Sequence, residues 1–323
     1  MRISLVIPVR DEGGTIGRTL DDLLAQARRP DEIVFVDAGS RDGTAGLISS
    51  HALARTVPVR VVEAGPAYPG RARNAGVAAS QGDWLAFTDA GVRLAPAWLD
   101  TLSRAAMANP EADAIAGDWD LDVASRFERC LALLSAPTEG LASGALRPPV
   151  VVSLLFKRAA WDRVGPFRED LRSAEDRLFL TRLVASGRVV RAPGRHVCWR
   201  PPVTVGAAWH RFRTYARHNM RAGLFGEWQA PLLRRYAVVA AGAIALSLWT
   251  PLAGALGGPL LWALLLTVRA AKALYANRES DGRGLVQGAA DLVRLVPLLA
   301  LLDAATAAGT IDWLLRDAWR PTA

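Results

Sequence analysis

Apolar and polar positions follow two periods along the first two thirds of the chain. Residues 3–9 form an almost unbroken apolar run stopped by Arg10-Asp11-Glu12 and Gly13-Gly14, which predicts a strand buried on both faces. Ile16, Leu20, Leu23, Leu24 and Ala27 then recur at helical spacing, and residues 32–36 predict a second strand that ends at Asp37-Ala38-Gly39-Ser40. A helix over 44–54 and a third strand over 59–63 complete a βαβαβ order, which implies parallel strands joined by right-handed crossovers. Next comes a helix bearing Gly70-Arg71-Ala72-Arg73-Asn74-Ala75-Gly76. Its small residues suit close packing, and its glycines would let backbone approach a phosphate beside Arg71 and Arg73. An apolar strand from Trp84 then ends abruptly in Asp89-Ala90-Gly91, and a helix from near Pro96 follows. Strands are predicted at 114–119 and 150–156, with helix and loop over 123–148 between them. A short helix ends at Gly165, Glu175-Asp176 head a helix over 177–185, residues 189–205 form a strand and a proline-bounded loop, and a basic aromatic helix covers 209–224.

The pattern changes near Tyr236. Residues 236–268 carry almost no charge, are interrupted at Pro251 and over 254–259, and are flanked by Arg234-Arg235 and by Arg269 and Lys272. A helical hairpin with both basic ends on the cytoplasmic side accounts for this run. A third apolar stretch, 292–315, contains Arg294, Pro297, Asp303 and Asp312. It either spans with those charges turned toward other helices or lies in the membrane interface. The expected organisation is an α/β domain over 1–225 and a hydrophobic helical membrane region over 226–323.

Charge narrows the partners. The 323 residues carry a net charge of +8, and only Lys157 and Lys272 are lysines. That balance suits an anionic membrane face or a phosphate-bearing substrate; the arginines are scattered and no nucleic-acid motif is present, so nucleic acid is not an expected partner. Two cysteines exclude a disulfide framework and a paired-cysteine zinc site, which points to a reducing compartment. The first apolar run is too short for a signal peptide, so the soluble part is expected in the cytoplasm.

Candidate chemistry collects at strand and helix ends. Asp89 sits where α/β sheets present groups to ligands, although taken alone the turn reads more readily as a helix cap. Glu175-Asp176 stand at a helix start, whose amides favour an ionised carboxylate able to accept a proton or bind a cation; ordinary first-turn capping accounts for them equally well. The spacing of His196 and Cys198 fits a packed strand better than a metal pair. The helix with Arg211, Arg213, Arg217 and Arg221 suits a membrane surface, a diphosphate or simple solvation.

Taken in order, these motifs resemble the family 2 glycosyltransferases of GT-A fold. The resemblance is carried by Val6-Ile7-Pro8-Val9-Arg10-Asp11-Glu12, Val36-Asp37-Ala38-Gly39-Ser40-Arg41-Asp42-Gly43-Thr44, Gly70-Arg71-Ala72-Arg73-Asn74-Ala75-Gly76, Phe87-Thr88-Asp89-Ala90-Gly91 and Glu175-Asp176, and covers residues 1–225. It implies an inverting enzyme that moves a single sugar from a nucleotide-sugar donor; the apolar tail and its basic flanks add the expectation of a membrane anchor and of a lipid-linked or membrane-proximal acceptor at the cytoplasmic face of the cell membrane. It further implies a donor pocket of Pro8, Arg10, Glu12, Asp37, Arg71, Arg73, Asn74 and Asp89, with Arg211 and Arg213 toward the diphosphate or acceptor. Asp176 would be the general base and Glu175 its neighbour. Asp89 would hold a divalent cation, magnesium or manganese. Two positions depart from the family pattern. Ala38 replaces a second aspartate after the second strand, and Gly91 replaces the second carboxylate of the Asp-x-Asp turn, which weakens any metal site because hard cations prefer several oxygen ligands. The same departures support a competing class, a catalytically silent sugar-nucleotide-binding membrane scaffold. A nucleotidyltransferase is disfavoured by the lack of an N-terminal glycine-rich loop with a basic residue.

Overall fold

A computed structural model describes residues 1–136, 148–277 and 285–319, without the side chains of 285–289; residues 137–147 of the helix and loop predicted over 123–148 lie outside the described residues. The chain divides into two units, one of Met1–Asp122 with Leu146–Arg200 and one of Val123–Ala145 with Pro201–Ala323.

The first unit is built on an eight-stranded sheet: β1 (Ile3–Val9), β2 (Glu32–Asp37), β3 (Val59–Glu63), β4 (Trp84–Phe87), β5 (Arg93–Leu94), β6 (Ala114–Leu121), β7 (Leu154–Lys157) and β8 (Val189–Trp199), in the order β3-β2-β1-β4-β7-β6-β8-β5. Strands β1 to β4 are mutually parallel and β6 is parallel to β8, while β7 runs antiparallel between β4 and β6. The near-continuous apolar sequence of β1 follows from burial on both faces. Helices α1 (Ile16–Leu24), α2 (Thr44–Ser50), α3 (Pro69–Ala79), α4 (Trp98–Ala108), α6 (Arg158–Val164) and α7 (Glu175–Ser186) connect these strands. Two elements are shorter than their sequence patterns. α2 stops at Ser50 because His51 turns extended (φ −69, ψ 152) and its ring accepts from the Leu53 amide, opening a 3-10 turn over Ala52–Arg55. The strand predicted from residue 150 begins only at Leu154, after a 3-10 turn over Val151–Ser153, where the Ser153 hydroxyl accepts from the buried Trp98 indole at 3.1 Å.

α3 corrects one expectation. Its glycines do not open toward a ligand; they let the helix press on its neighbours. A Cβ at Gly76 would collide with Val6 and Val36 of the sheet, and one at Gly70 with the Arg168 carbonyl. Asn74 completes the grip, its amide donating to the Phe167 carbonyl and Glu169 carboxylate (2.9 Å each) and accepting from the Phe167 amide (2.9 Å). Gly70→Ala should therefore lower stability by about 1–3 kcal/mol through overpacking, read as a lowered Tm, whereas an alanine at the open Gly14 should not.

The second unit is helical: α5 (Arg126–Ser135), α8 (Val205–Arg221), α9 (Phe225–Trp249), α10 (Pro251–Ala276) and α11 (Leu285–Arg316). The expected hairpin is present with longer arms, α9 and α10 having 25 and 26 residues. Residues 254–259 do not interrupt α10. Gly254 and Gly257 sit against Ser247 and Leu246, so small residues that read as breakers serve close helix–helix approach. α9, α10 and the 290–316 part of α11 are each long and apolar enough to cross a membrane.

Candidate active site

The carboxyl ends of β1, β2 and β4 place Pro8, Arg10, Glu12, Asp37 and Asp89 along one edge of the parallel sheet. Hydrogen bonds set the turns there. Asp37 accepts from the Ser40 amide (2.7 Å), the Glu12 amide donates to the Thr44 hydroxyl (2.9 Å), and the Glu12 carboxylate accepts from the Thr15 hydroxyl. Asp11 adopts φ +53, rare for a side-chain-bearing residue, and accepts from the Arg41 amide at 2.9 Å. Asp42 takes the Thr44 hydroxyl and the Gly13 amide, and these two bonds hold its carboxyl below the ordinary aspartate range. Sequence reasoning gave neither Asp11 nor Asp42 a role; the one legible signal was that both lie in acidic glycine-bearing turns.

The centre of the site is a buried arginine held by two carboxylates. Arg73, 3% exposed, donates from one terminal nitrogen to Asp89 (2.7 Å) and from the other to Glu175 (2.8 Å), with its guanidinium 5.5 Å from the Phe167 ring. Burial disfavours its charge, but Asp89, Glu175 and Asp176 outweigh that and hold it protonated more firmly than usual. Beneath lies an aromatic floor. Phe87, at the end of β4, meets Phe156 and Phe167 at 5.2 and 5.6 Å, and Phe167 stacks on Phe179 of α7 at 4.3 Å. These rings position the turn carrying Asp89 and the first turn of α7 together.

α7 begins after Ala174, whose φ of +73 is strained for a residue with a Cβ. The next two residues differ sharply. Glu175 is 4% exposed, with one oxygen on Arg73 and the other without a hydrogen-bond partner among the described residues. Asp176 is half-buried and accepts from the Arg177 amide at 2.7 Å. Burial and, to a lesser degree, the Asp176 charge push the Glu175 carboxyl up, while Arg73 pulls it down; the net direction is upward from the ordinary 4.5. The folded state thus binds a proton that the unfolded chain releases near 4.5, so this stability contribution is present below that pH and fades as pH rises through the folded pKa. Tm should fall from pH 5 toward neutrality, and Glu175→Gln should flatten that slope.

Other expected residues have plain placements. Arg71 is exposed on α3, and Asn74 is engaged with the 167–169 segment as described. Arg211 and Arg213 belong to α8 of the second unit, Arg211 exposed and Arg213 bonded to Asp312 at 2.8 Å. Arg93, beyond the Asp89 turn, forms a two-pronged pair with Asp22 at 2.6 and 2.9 Å.

The residues present fit a protein-built cation site poorly. Asp89 has one oxygen on Arg73, and Gly91 offers no carboxylate, with φ +78 and its missing Cβ directed at Glu12. Among the described residues no three His, Cys, Asp or Glu side chains gather in metal-binding geometry. What the arrangement does offer is a half-exposed carboxylate in the first turn of a helix, beside a charge cluster at the carboxyl end of the parallel sheet, which is equipment for accepting a proton from a bound hydroxyl.

Comparison with known proteins agrees with this fold. Residues 4–134 match the family model described as Glycosyl transferase family 2. No curated protein matches the chain in sequence. Among solved structures, the mannosyltransferase PcManGT from Pyrobaculum calidifontis, in complex with GDP-Man and Mn2+, is similar at 19% identity and TM-score 0.57, over 98% of this chain and 88% of that one. TarS 1-349 from S. aureus in complex with UDP-GlcNAc is similar at 14% identity and TM-score 0.51, over 99% and 93%. These likenesses are of fold.

Proposed function

This chain carries a family 2 glycosyltransferase domain of GT-A type, and on that premise we propose that it is an inverting, membrane-anchored enzyme that transfers one sugar from a nucleoside-diphosphate sugar to a lipid-linked or membrane-proximal acceptor. The observation that carries the reading is the pairing of a buried Arg73–Asp89–Glu175 cluster with a half-exposed Asp176 at the same helix start. In this reaction the acceptor oxygen attacks the anomeric carbon from the face opposite the leaving group, and its proton passes to an Asp176 oxygen. The anomeric C–O bond breaks with its electron pair going to the nucleoside diphosphate. One base suffices, and no covalent enzyme intermediate forms.

Arg73 serves this chemistry from below. Its terminal nitrogens are committed to carboxylates, so it fixes Asp89 against α7 and sets the charge around the base. The donor pocket is read at the strand-end edge, with Pro8, Glu12 and Asp37 toward nucleoside and Asp89 toward diphosphate. Complexes of fold neighbours with GDP-Man and UDP-GlcNAc support a nucleotide-sugar donor. The apolar hairpin supports an acceptor held at the membrane, because sharing a surface raises the effective concentration of both partners. A cytoplasmic location for the catalytic unit follows from the basic residues flanking that hairpin.

The test is release of nucleoside diphosphate from a panel of nucleotide sugars, with membrane lipid extract as acceptor source and with manganese present or chelated. Turnover with at least one donor, giving a product of inverted anomeric configuration, is expected. Ala38 and Gly91 favour the second reading, a silent sugar-nucleotide-binding scaffold, which calorimetric binding of nucleotides without turnover would establish.

A further inference from the structure

We infer that α11 stays outside the bilayer, docked along its length on α5, α8 and α10, and that the α9–α10 hairpin is the surface this protein presents to lipid. The inference stands apart from the proposed activity. By length and composition α9, α10 and α11 are equal candidates, but their surroundings differ: the apolar window of α11 is 39% buried within the protein, against 0% and 11% for α9 and α10.

Apolar packing and charge pairs together cover α11. Its Leu295, Leu298, Leu299 and Leu302 pack with Cys130 and Leu131 of α5, Ala208 of α8 and Leu266 and Ala270 of α10. Further along, Gly309 is pressed against the α8 backbone at Arg213 and against Ala216. Charge pairs repeat along the same helix. Asp291 meets Arg129 of α5 at 3.4 Å, Asp303 is bonded to Arg269 of α10 and to the Tyr236 hydroxyl of α9, and Asp312 and the adjoining Asp317 are each gripped by two nitrogens of Arg213 and Arg217 on α8. α8 also bears His210, Arg211, His218 and Arg221 within its 17 residues. Each arginine costs roughly 2.5–3.5 kcal/mol to place at a bilayer centre, so α8 cannot enter hydrocarbon. A crossing by α11 would either carry α8 in with it or break both of those pairs and strip the leucine face.

The hairpin has the opposite character. Leu248 and Trp249 at its tip are 83% and 85% exposed, and Leu252, Leu256, Leu260, Leu264 and Val268 form an exposed stripe at every fourth position of α10. At about 1.5 Å per residue the apolar parts of the two arms, 236–249 and 251–268, reach roughly 21 and 27 Å, deep into the roughly 30 Å of a hydrocarbon core. Arg234, Arg235 and Lys272 are exposed toward its open end, where they suit the headgroups of an anionic membrane. The occupant of this surface is therefore a bilayer containing anionic lipid.

The experiment uses the full chain in sealed vesicles containing anionic lipid, with one epitope tag at the N-terminus and one after Ala323. A companion Trp249→Cys variant, made with Cys130→Ala and Cys198→Ser, is probed with a membrane-impermeant maleimide. Both tags are expected on the same side, with Trp249→Cys labelled from the opposite side or protected from both. Tags on opposite sides would mean that α11 crosses and would overturn the inference. Labelling of Trp249→Cys from the side shared by both tags would remove the hairpin from the membrane and overturn it equally.

Discussion

Asp176→Asn is expected to reduce kcat by about 10²–10⁴-fold, the usual worth of a positioned general base, with little change in donor binding or in Tm. The side chain makes this a clean substitution. Asp176 is half-buried and accepts a hydrogen bond from the amide of the next residue, a bond that an asparagine oxygen also accepts. The hydrogen bonds of the charge cluster beneath do not include it, and only its charge reaches Arg73 and Glu175. Arg73 keeps Asp89 and Glu175, and the aromatic floor is untouched. The asparagine retains shape and loses proton affinity. Measured kcat with the best donor from the panel, beside a nucleotide-binding isotherm, separates the two; an unchanged kcat would remove Asp176 from the role of base.

The largest stability effect should come from Arg73→Met. This substitution keeps most of the apolar volume and deletes the cation between two carboxylates, one of which is nearly inaccessible to water. Breaking a buried pair by removing one partner costs about 3–5 kcal/mol, because the remaining charge stays buried without compensation. The detergent-solubilised chain should show a markedly lower Tm, and the loss should be smaller at pH 5 than at pH 8, since protonating Glu175 removes part of the orphaned charge. Adding Glu175→Gln to Arg73→Met should recover part of the deficit for the same reason. A single variant with wild-type Tm at both pH values would show that the cluster carries little of the fold's stability.

These two residues illustrate what the sequence could and could not convey. Strands β1 to β4 were legible because continuous apolar runs end in charge and glycine, a local pattern that needs no knowledge of the partner strand. The Glu175-Asp176 helix start was legible for the same reason. That Glu175 is buried and Asp176 half-exposed was not, because it depends on Arg73, 102 residues earlier in the chain. Gly70 was misread as a phosphate-facing position: its real constraint is the Arg168 carbonyl, nearly a hundred residues away. The glycines of α10 look like helix breakers in isolation and become packing residues only when α9 lies alongside. α2 was overextended because His51 fits a helical pattern by position, while its ring finds a better bond to a nearby backbone amide.

α3 has a mechanical consequence. It is clasped on one face by the sheet at Gly76 and on another by the 167–169 segment at Gly70 and Asn74, while Arg73 ties it to both the Asp89 turn and α7. Those parts are geared to one shaft, so swinging α7 away from β4 would strip several bonds at once. Admission and release of ligand should instead be left to the turns at 10–15 and 39–43, which would exchange their amide hydrogens quickly while residues 70–77 and 177–180 exchange slowly and in step.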